Sequence, residues 1–545
     1  MRIAIAGLGP KGLFALERLL DHARDLDPAA RLEIDVFEPH PAPGSGPVYA
    51  PDQPSYLRMN FAADQLDMWW PGSGAVPRAQ RQPFVDWRAA RGGGGEAYPP
   101  RAEVGRYLCE GFETLLRHAP RNVEVRIHPS HVEAVLTRDG GWDVRAAGAA
   151  GTYDEVLIAV GHQPGSPTAL EADWTHDVPL VPAVFPVERW LARDHVAPGA
   201  IVAVRGFALT FIDAALALTE GRGGSFEPLD HPYRLRYVPG ADDVRAVVPF
   251  TRTGRPMLAK PAPGIAAHMP ALAHIAAEGR DQLSALQRPL GLRRVVPILN
   301  AVAAASLQAA RLGLPAARPG PKGAVDAIER SLAVGAELVP PDREWALGHA
   351  WRALYPAIVS QLGGDGLAEG DWPAFLRLAG EMERIAFGPP AVNAAKLLAL
   401  IAAGRVDLSH VHGGELVTAG GRTLLQSAHG STAVDVVVDA VLPGPGAAGH
   451  GGLLGDLIAR GHARVLPSRR GIDVTGDAGC RGRDGSLSVG LSAIGRPTED
   501  AVIGNDTLSR SLHPHADRWA RSVVRRCYER PAATGSLIQR EAAPV

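Results

Sequence analysis

The chain is poor in cysteine. Cys109, Cys480 and Cys527 are its only three in 545 residues, and no two lie close in sequence. That argues against a disulfide framework and a cysteine-based zinc site, and fits a reducing, cytoplasmic setting. Neither sign of charge is in excess: 56 Lys+Arg against 58 Asp+Glu give a formal charge of −2. Such a balance offers no global attraction to nucleic acid or to an anionic membrane. No uninterrupted apolar run reaches about 20 residues, so no transmembrane helix is expected. The N-terminus lacks the basic, apolar and small-residue succession of a secretory leader.

What is there is ordinary for a soluble globular protein, with 46% hydrophobic and 21% charged residues. The length exceeds what one core serves, which predicts two or three domains. Gly (62) and Pro (47) are scattered through patterned sequence and imply many turns.

The first 38 residues read as strand, glycine turn, helix and strand. Ile3–Ala6 is a short buried strand, and Leu13–Ala23 carries Leu13, Leu16, Leu19 and Leu20 at helical spacing. LEIDVF (32–37) is a second strand, and Glu38 ends it. In the turn, Gly7-x-Gly9-x-x-Gly12 has the dinucleotide-binding spacing: a tight turn, a close approach of backbone to pyrophosphate, and close helix–strand packing. Gly7, Gly9, Pro10 and Gly12 are the candidate phosphate-side contacts, and Glu38 could accept hydrogen bonds from ribose hydroxyls. The alternative is a plain strand-to-helix turn.

The pattern recurs about 200 residues on. GAIVAVRGFALTFIDAALALT (199–219) is again strand, turn and helix, with Gly206 and Thr210 in the turn region and Ala208 where the second glycine would stand. FTRTGRP (250–256) follows. Arg252, with Thr253, and Arg255 lie where a guanidinium could pair with a 2′-phosphate, the group that separates NADP from NAD. Simple solvation of both arginines is the alternative. VEVRIHPSHVEAVLTRDGGWDVRAA reads as strands at hairpin spacing, and LRYVP and VRAVVPF as strands of the second unit. Residues 266–425 turn Ala/Leu-rich with helical period, before strand sequence returns at 433–444.

Near the end, GRPTEDAVIGNDTLSR (495–510) follows the apolar strand LSAIG. Polar residues just past a strand's C-terminal edge are where α/β ligands bind, which marks Gly495, Thr498 and Glu499; a capped helix start is the alternative. TGDA (475–478) competes for the same role. Gly161 ends the strand DEVLIAVG. Asn60 and His162 are the candidate catalytic side chains, though Asn in a loop is more often a turn residue and a lone His at a strand end more often structural. Trp345, His349, Trp351 and Tyr355 form a helical stripe that reads as core before it reads as a substrate cage.

Taken together, IAIAGLGPKG, FEPHPAPGSGPVY, LRMN, VLIAVGHQP, VAVRGFALTFIDAALALTEGRGG, FTRTGRPMLAKP and GRPTEDAVIGNDTLSR resemble bacterial FAD/NAD(P)-binding proteins with two dinucleotide domains. These are distant relatives of class B flavin monooxygenases and N-hydroxylating enzymes. The resemblance implies an α/β fold of two Rossmann-like domains with a mainly helical insertion. It divides the chain into an FAD domain at 1–195 and 430–545, an NAD(P)H domain at 196–265 and a helical, substrate-bearing insertion at 266–429. It implies FAD in the first site, NADPH in the second, and O₂ with a small amine or amino acid as substrates. Oxygen transfer would go through a C4a-(hydro)peroxyflavin, a cofactor chemistry that needs no nucleophile–base triad. A reductase without oxygen transfer, or a non-catalytic scaffold, stays open, as does a homo-oligomer. Nucleic-acid and membrane partners and a metal are not expected. The FxGxxxH pattern of Baeyer–Villiger enzymes is absent before the second unit.

Overall fold

The computed structural model describes residues 1–162, 169–261, 270–311, 322–442, 451–505, 508–510 and 512–529. The first sheet is built on β1 (Arg2–Ala6), a strand buried along four of its five residues. Burial on both faces is what an apolar strand in a covered parallel sheet requires. Its strand order is β17-β18-β7-β1-β2-β3, with β2 Leu32–Phe37, β3 Val123–His128, β7 Glu155–Ile158, β17 Gly479–Arg481 and β18 Leu487–Ala493. All neighbours are parallel except β17 and β18. Helix α1 (Pro10–His22) starts with Pro at its first position, where a missing N–H costs nothing. It buries Leu13, Leu16, Leu19 and Leu20 against one face of the sheet together with the C-terminal helix His515–Glu529. The other face is covered by the antiparallel strands β4 (Val132–Arg138), β5 (Gly141–Ala146) and β6 (Ala149–Tyr153) and by the helix Gly452–Ala459.

The second sheet is parallel throughout, in the order β12-β9-β16-β8: β8 Leu180–Val181, β9 Ile201–Arg205, β12 Ala246–Phe250 and β16 Val436–Asp439. Helices Leu209–Ala217 and Ala391–Ala402 bury one face, and the antiparallel set β13 (Glu415–Ala419), β14 (Arg422–Ser427) and β15 (Gly430–Ala433) packs on the other. Five helices, Pro270–Ser284, Leu292–Ala310, Ala324–Gly335, Arg343–Leu362 and Trp372–Ala386, form the helical unit around Trp351, Leu354 and Trp372.

The α/β class with two parallel sheets and a helical insertion is as expected, but three local readings differ. The second sheet takes β8 from before residue 195 and β16 from after 430, so its edges cross the expected domain borders. VEVRIH is no hairpin arm: β3 pairs parallel with β2 and extends the first sheet. LRYVP lies in a separate two-stranded ribbon, β10 (Ser225–Pro228) with β11 (Leu235–Val238), so the strand beside β9 is β12. In each case the residues carry strand propensity, and the partner is chosen by long-range packing.

Candidate functional site

Three adjacent parallel strands of the first sheet lead, at their C-terminal ends, into a glycine with positive φ: Gly7 after β1 (φ 95°), Gly161 after β7 (φ 65°) and Gly495 after β18 (φ 74°). Only glycine adopts this backbone cheaply. The edge they form is the ligand face of an open α/β sheet. Gly7 and Gly12 are packing glycines: a Cβ on Gly7 would lie 2.6 Å from the Ala159 carbonyl oxygen, and one on Gly12 2.2 Å from that of Gly7. Gly9 differs. A Cβ there would meet nothing nearer than the Gly46 Cα at 3.9 Å. Gly9 and Gly46 thus face each other across the start of α1, whose N-terminus has no side-chain cap. Uncapped N–H groups and the helix dipole suit an anion. Glu38 is buried at the end of β2; Leu8 N–H donates to its Oε2 (2.5 Å) and His40 N–H to its Oε1 (2.8 Å).

The second sheet repeats this arrangement. Gly7 N–H donates to Phe37 O (2.9 Å), and Gly206 N–H donates to Phe250 O (3.1 Å). Phe37 precedes Glu38, so the structural counterpart of Glu38 is Thr251, followed by Arg252. Gly206 has φ 113°, and the helix after it also lacks a side-chain cap. Ala208 holds extended backbone (φ −117°, ψ −158°) that any residue adopts, so its methyl adds volume without strain. The two arginines differ. Arg255 is committed to Glu381 by a two-pronged pair (2.8 and 3.0 Å), whereas Arg252 is exposed and makes no ion pair among the described residues. Thr253 is also exposed, and Thr210 lies half-buried in the first turn of its helix.

The polar run after Gly495 is largely self-braced. Thr498 Oγ1 donates to Gly495 O (2.9 Å), and Asn505 Nδ2 donates to Thr498 Oγ1 (3.2 Å). Glu499 pairs with Arg496 (3.2 Å), Asp500 with Arg470 (2.7 Å), and Arg510 with the fully buried Glu17 of α1 (2.5 Å) while stacking on Phe14. Asp506 and Thr507 lie outside the described residues. These bonds fix the loop over α1 and leave a cleft of about 470 Å³ lined by Lys11, Trp70, Gly495, Thr498, Asn505 and His513. Burial holds His513 at a pKa of about 3 and His515 at about 4, with Lys11 opposing protonation of both. TGDA is closed on itself, with Thr475 Oγ1 donating to Asp477 (2.5 Å).

Asn60 stands where the units meet. Its Nδ2 donates to Phe387 O (3.2 Å), and its backbone carbonyl accepts from Lys260 Nζ (2.7 Å). His162 is exposed and lines neither of the two best-formed cavities. Of the tryptophan–histidine stripe, Trp351 is core, but Trp345 lines a second cavity in the helical unit and stacks on His349.

Residues 4–163 match the family described as FAD-NAD(P)-binding. The residues present fit FAD in the first unit: an uncapped helix start, a gap that a Gly9 Cβ would enter, and a buried carboxylate at the end of β2. The chain is 33% identical over 260 residues to the nitrosuccinic acid synthase npaA of Aspergillus oryzae, covering 45% of this chain and 39% of that protein. It is 31% identical over 288 residues to the L-aspartate N-monooxygenase (nitrosuccinate-forming) of Streptomyces cremeus, covering 45% and 41%. The chain thus matches about two fifths of the length of these curated relatives. Among solved structures, L-lysine 6-monooxygenase from Pseudomonas syringae superposes over 96% of this chain and 99% of its own, with a TM-score of 0.50 at 14% identity. The chain therefore has the fold of the two-dinucleotide-domain flavoproteins. Among the described residues, no helix is long and apolar enough to cross a membrane.

Proposed function

We propose that this chain is an FAD-dependent, NADPH-using monooxygenase acting on the amine of a small amino acid. The observation that carries the reading is the pair of superposable glycine turns with differently equipped neighbours. After β2 stands a buried carboxylate, Glu38, suited to ribose hydroxyls. After β12 stand Thr251 and an Arg252 that makes no ion pair among the described residues, suited to a 2′-phosphate. The partial relatives favour an amino acid over other amines. FAD, once bound and reduced by NADPH, supplies the activation of O₂. The chain's own work is binding and enclosure. Gly9 and the start of α1 receive the pyrophosphate, Glu38 holds the ribose, and Arg252 with Thr253 selects the phosphorylated nicotinamide nucleotide. The braced residues 495–505 border the cleft, and Asn60 lies where the first unit meets the helical one. Positioning and exclusion of water are the protein's share.

The test is reconstitution. Purified protein mixed with FAD should retain absorbance near 370 and 450 nm, the usual flavin bands. It should then oxidise NADPH faster when L-aspartate or a similar amino acid is added. A protein that retains no flavin refutes the proposal.

A further inference from the structure

The second cavity, about 430 Å³, lies between the helical unit and the segment leaving the second sheet, lined among others by Leu258, Arg330, Asp342, Glu344, Trp345 and Arg352. Most arginines around it have carboxylate partners. Arg330 pairs with Asp342 (2.5 Å), and Arg384 with Glu344 (2.7 Å) and Glu381 (3.0 Å). Arg352 does not. Its one hydrogen bond among the described residues runs from Nη1 to the Ala386 carbonyl (2.9 Å), and it has no ion pair there.

Burial lowers the Arg352 pKa to about 10. A buried guanidinium without an anion destabilises the fold, and its five fixed donors suit a carboxylate bidentately. A second cation, Lys260, stands in the chain between the lining residues Ala259 and Pro261. Lys260 Nζ lies over the rings of Tyr98 (5.9 Å) and Phe387 (5.4 Å), and the Arg352 charge acts on the Tyr98 hydroxyl from the other unit. Tyr98 is itself pinned, donating to Pro261 O (2.9 Å). Lys260 also reaches Asn60 of the first unit, so this basic corner opens towards the junction of all three units.

We propose that Arg352, with Lys260 across Tyr98, is the subsite that holds a side-chain or α-carboxylate of an acidic amino-acid substrate. This rests on the monooxygenase reading for its reaction but not for its ligand. The shape and charge ask for a small dicarboxylate whether or not oxygen transfer follows. The nicotinamide nucleotide's phosphate is served elsewhere, at Arg252.

The experiment is calorimetric titration of the FAD-reconstituted protein with succinate, a dicarboxylate with no amine to oxidise. The wild type should bind it. Arg352→Gln should weaken binding by about 30-fold or more, the loss expected when one partner of a buried charge pair is removed. Arg352→Lys, which keeps the charge but not the fork, should fall between and controls for folding. Flavin absorbance and the KM for NADPH should be unchanged in both variants. Equal succinate affinity in wild type and Arg352→Gln, or no binding by wild type, overturns the assignment. Succinate binding that Arg352→Gln abolishes, in a protein that oxidises no amino acid, would leave the subsite standing and remove the monooxygenase reading instead.

Discussion

The two inner glycines of the first turn, three residues apart, are predicted to fail in opposite ways. At Gly12 an added methyl would lie 2.2 Å from the backbone oxygen of Gly7. Neither atom belongs to a flexible side chain, so strand and helix must separate. Overpacking of this kind costs about 1–3 kcal/mol or more. At Gly9 the methyl has 3.9 Å of clearance, and the backbone, with φ −69°, suits alanine. The unfolded chain loses freedom, which favours the variant by about 0.4–1 kcal/mol, while alanine is poorer than glycine at a helix start by a similar amount. The net change in stability is near zero. The methyl would, however, stand against Gly46 beside the uncapped start of α1, where the proposed function seats the pyrophosphate. Gly9→Ala should therefore melt with the wild-type apoprotein and bind FAD at least about tenfold more weakly, a loss of about 1.4 kcal/mol. Gly12→Ala should melt several degrees lower. Thermal unfolding of the apoproteins and quenching of FAD fluorescence measure the two quantities. Wild-type FAD affinity in Gly9→Ala, or an unshifted melting curve in Gly12→Ala, would refute the separation of roles.

Three further outcomes are expected. Arg252→Ala should raise the KM for NADPH about tenfold or more with little change for NADH, since a charge-assisted contact contributes about 1.5–3 kcal/mol; Arg255→Ala, whose partner is Glu381, should not discriminate between the two nucleotides. His349, His513 and His515 are held neutral by burial, at pKa values of about 4, 3 and 4. Their unfolded forms take up protons below about pH 6.5, so stability present above that value is lost as pH falls from 6.5 towards 4, by about 1.4 kcal/mol per pH unit per histidine; denaturant titrations of His513→Asn across this window should show a shallower slope than wild type. Arg101 of the helix Arg101–Arg117 reaches the buried Asp213 in the helix after β9 (2.7 Å), tying the two dinucleotide units together. Arg101→Met leaves that carboxylate unpaired at a cost of about 3–5 kcal/mol, and limited proteolysis should then cut between the units where wild type resists.

How much of this was legible follows the distance along the chain. The turn at Gly7, its helix and Glu38 are contiguous, so strand, helix and the acid that closes the second strand could be read from one stretch of 38 residues. β8 and β16 are two and four residues long and lie about 250 residues apart, and no local pattern announces that they pair with each other beside β9. The polar residues after Gly495 were visible as a cluster. Their commitments to Arg470 and Glu17 are tertiary, and these, with the local Arg496–Glu499 pair, turn most of the cluster into bracing for the loop. Arg352 gave no signal at all. It is one of two arginines in its helix, and what distinguishes it is the lack of an ion-pair partner among the described residues, which only the packed structure reveals.

The most direct measurement is isotope transfer. FAD-reconstituted protein, NADPH and L-aspartate are incubated under ¹⁸O₂, and the amino-acid product is analysed by mass spectrometry alongside the peroxide released. The account predicts ¹⁸O bonded to the amino nitrogen, with NADPH consumption coupled to that product. NADPH oxidation that yields only labelled peroxide, whatever amino acid is supplied, would contradict it.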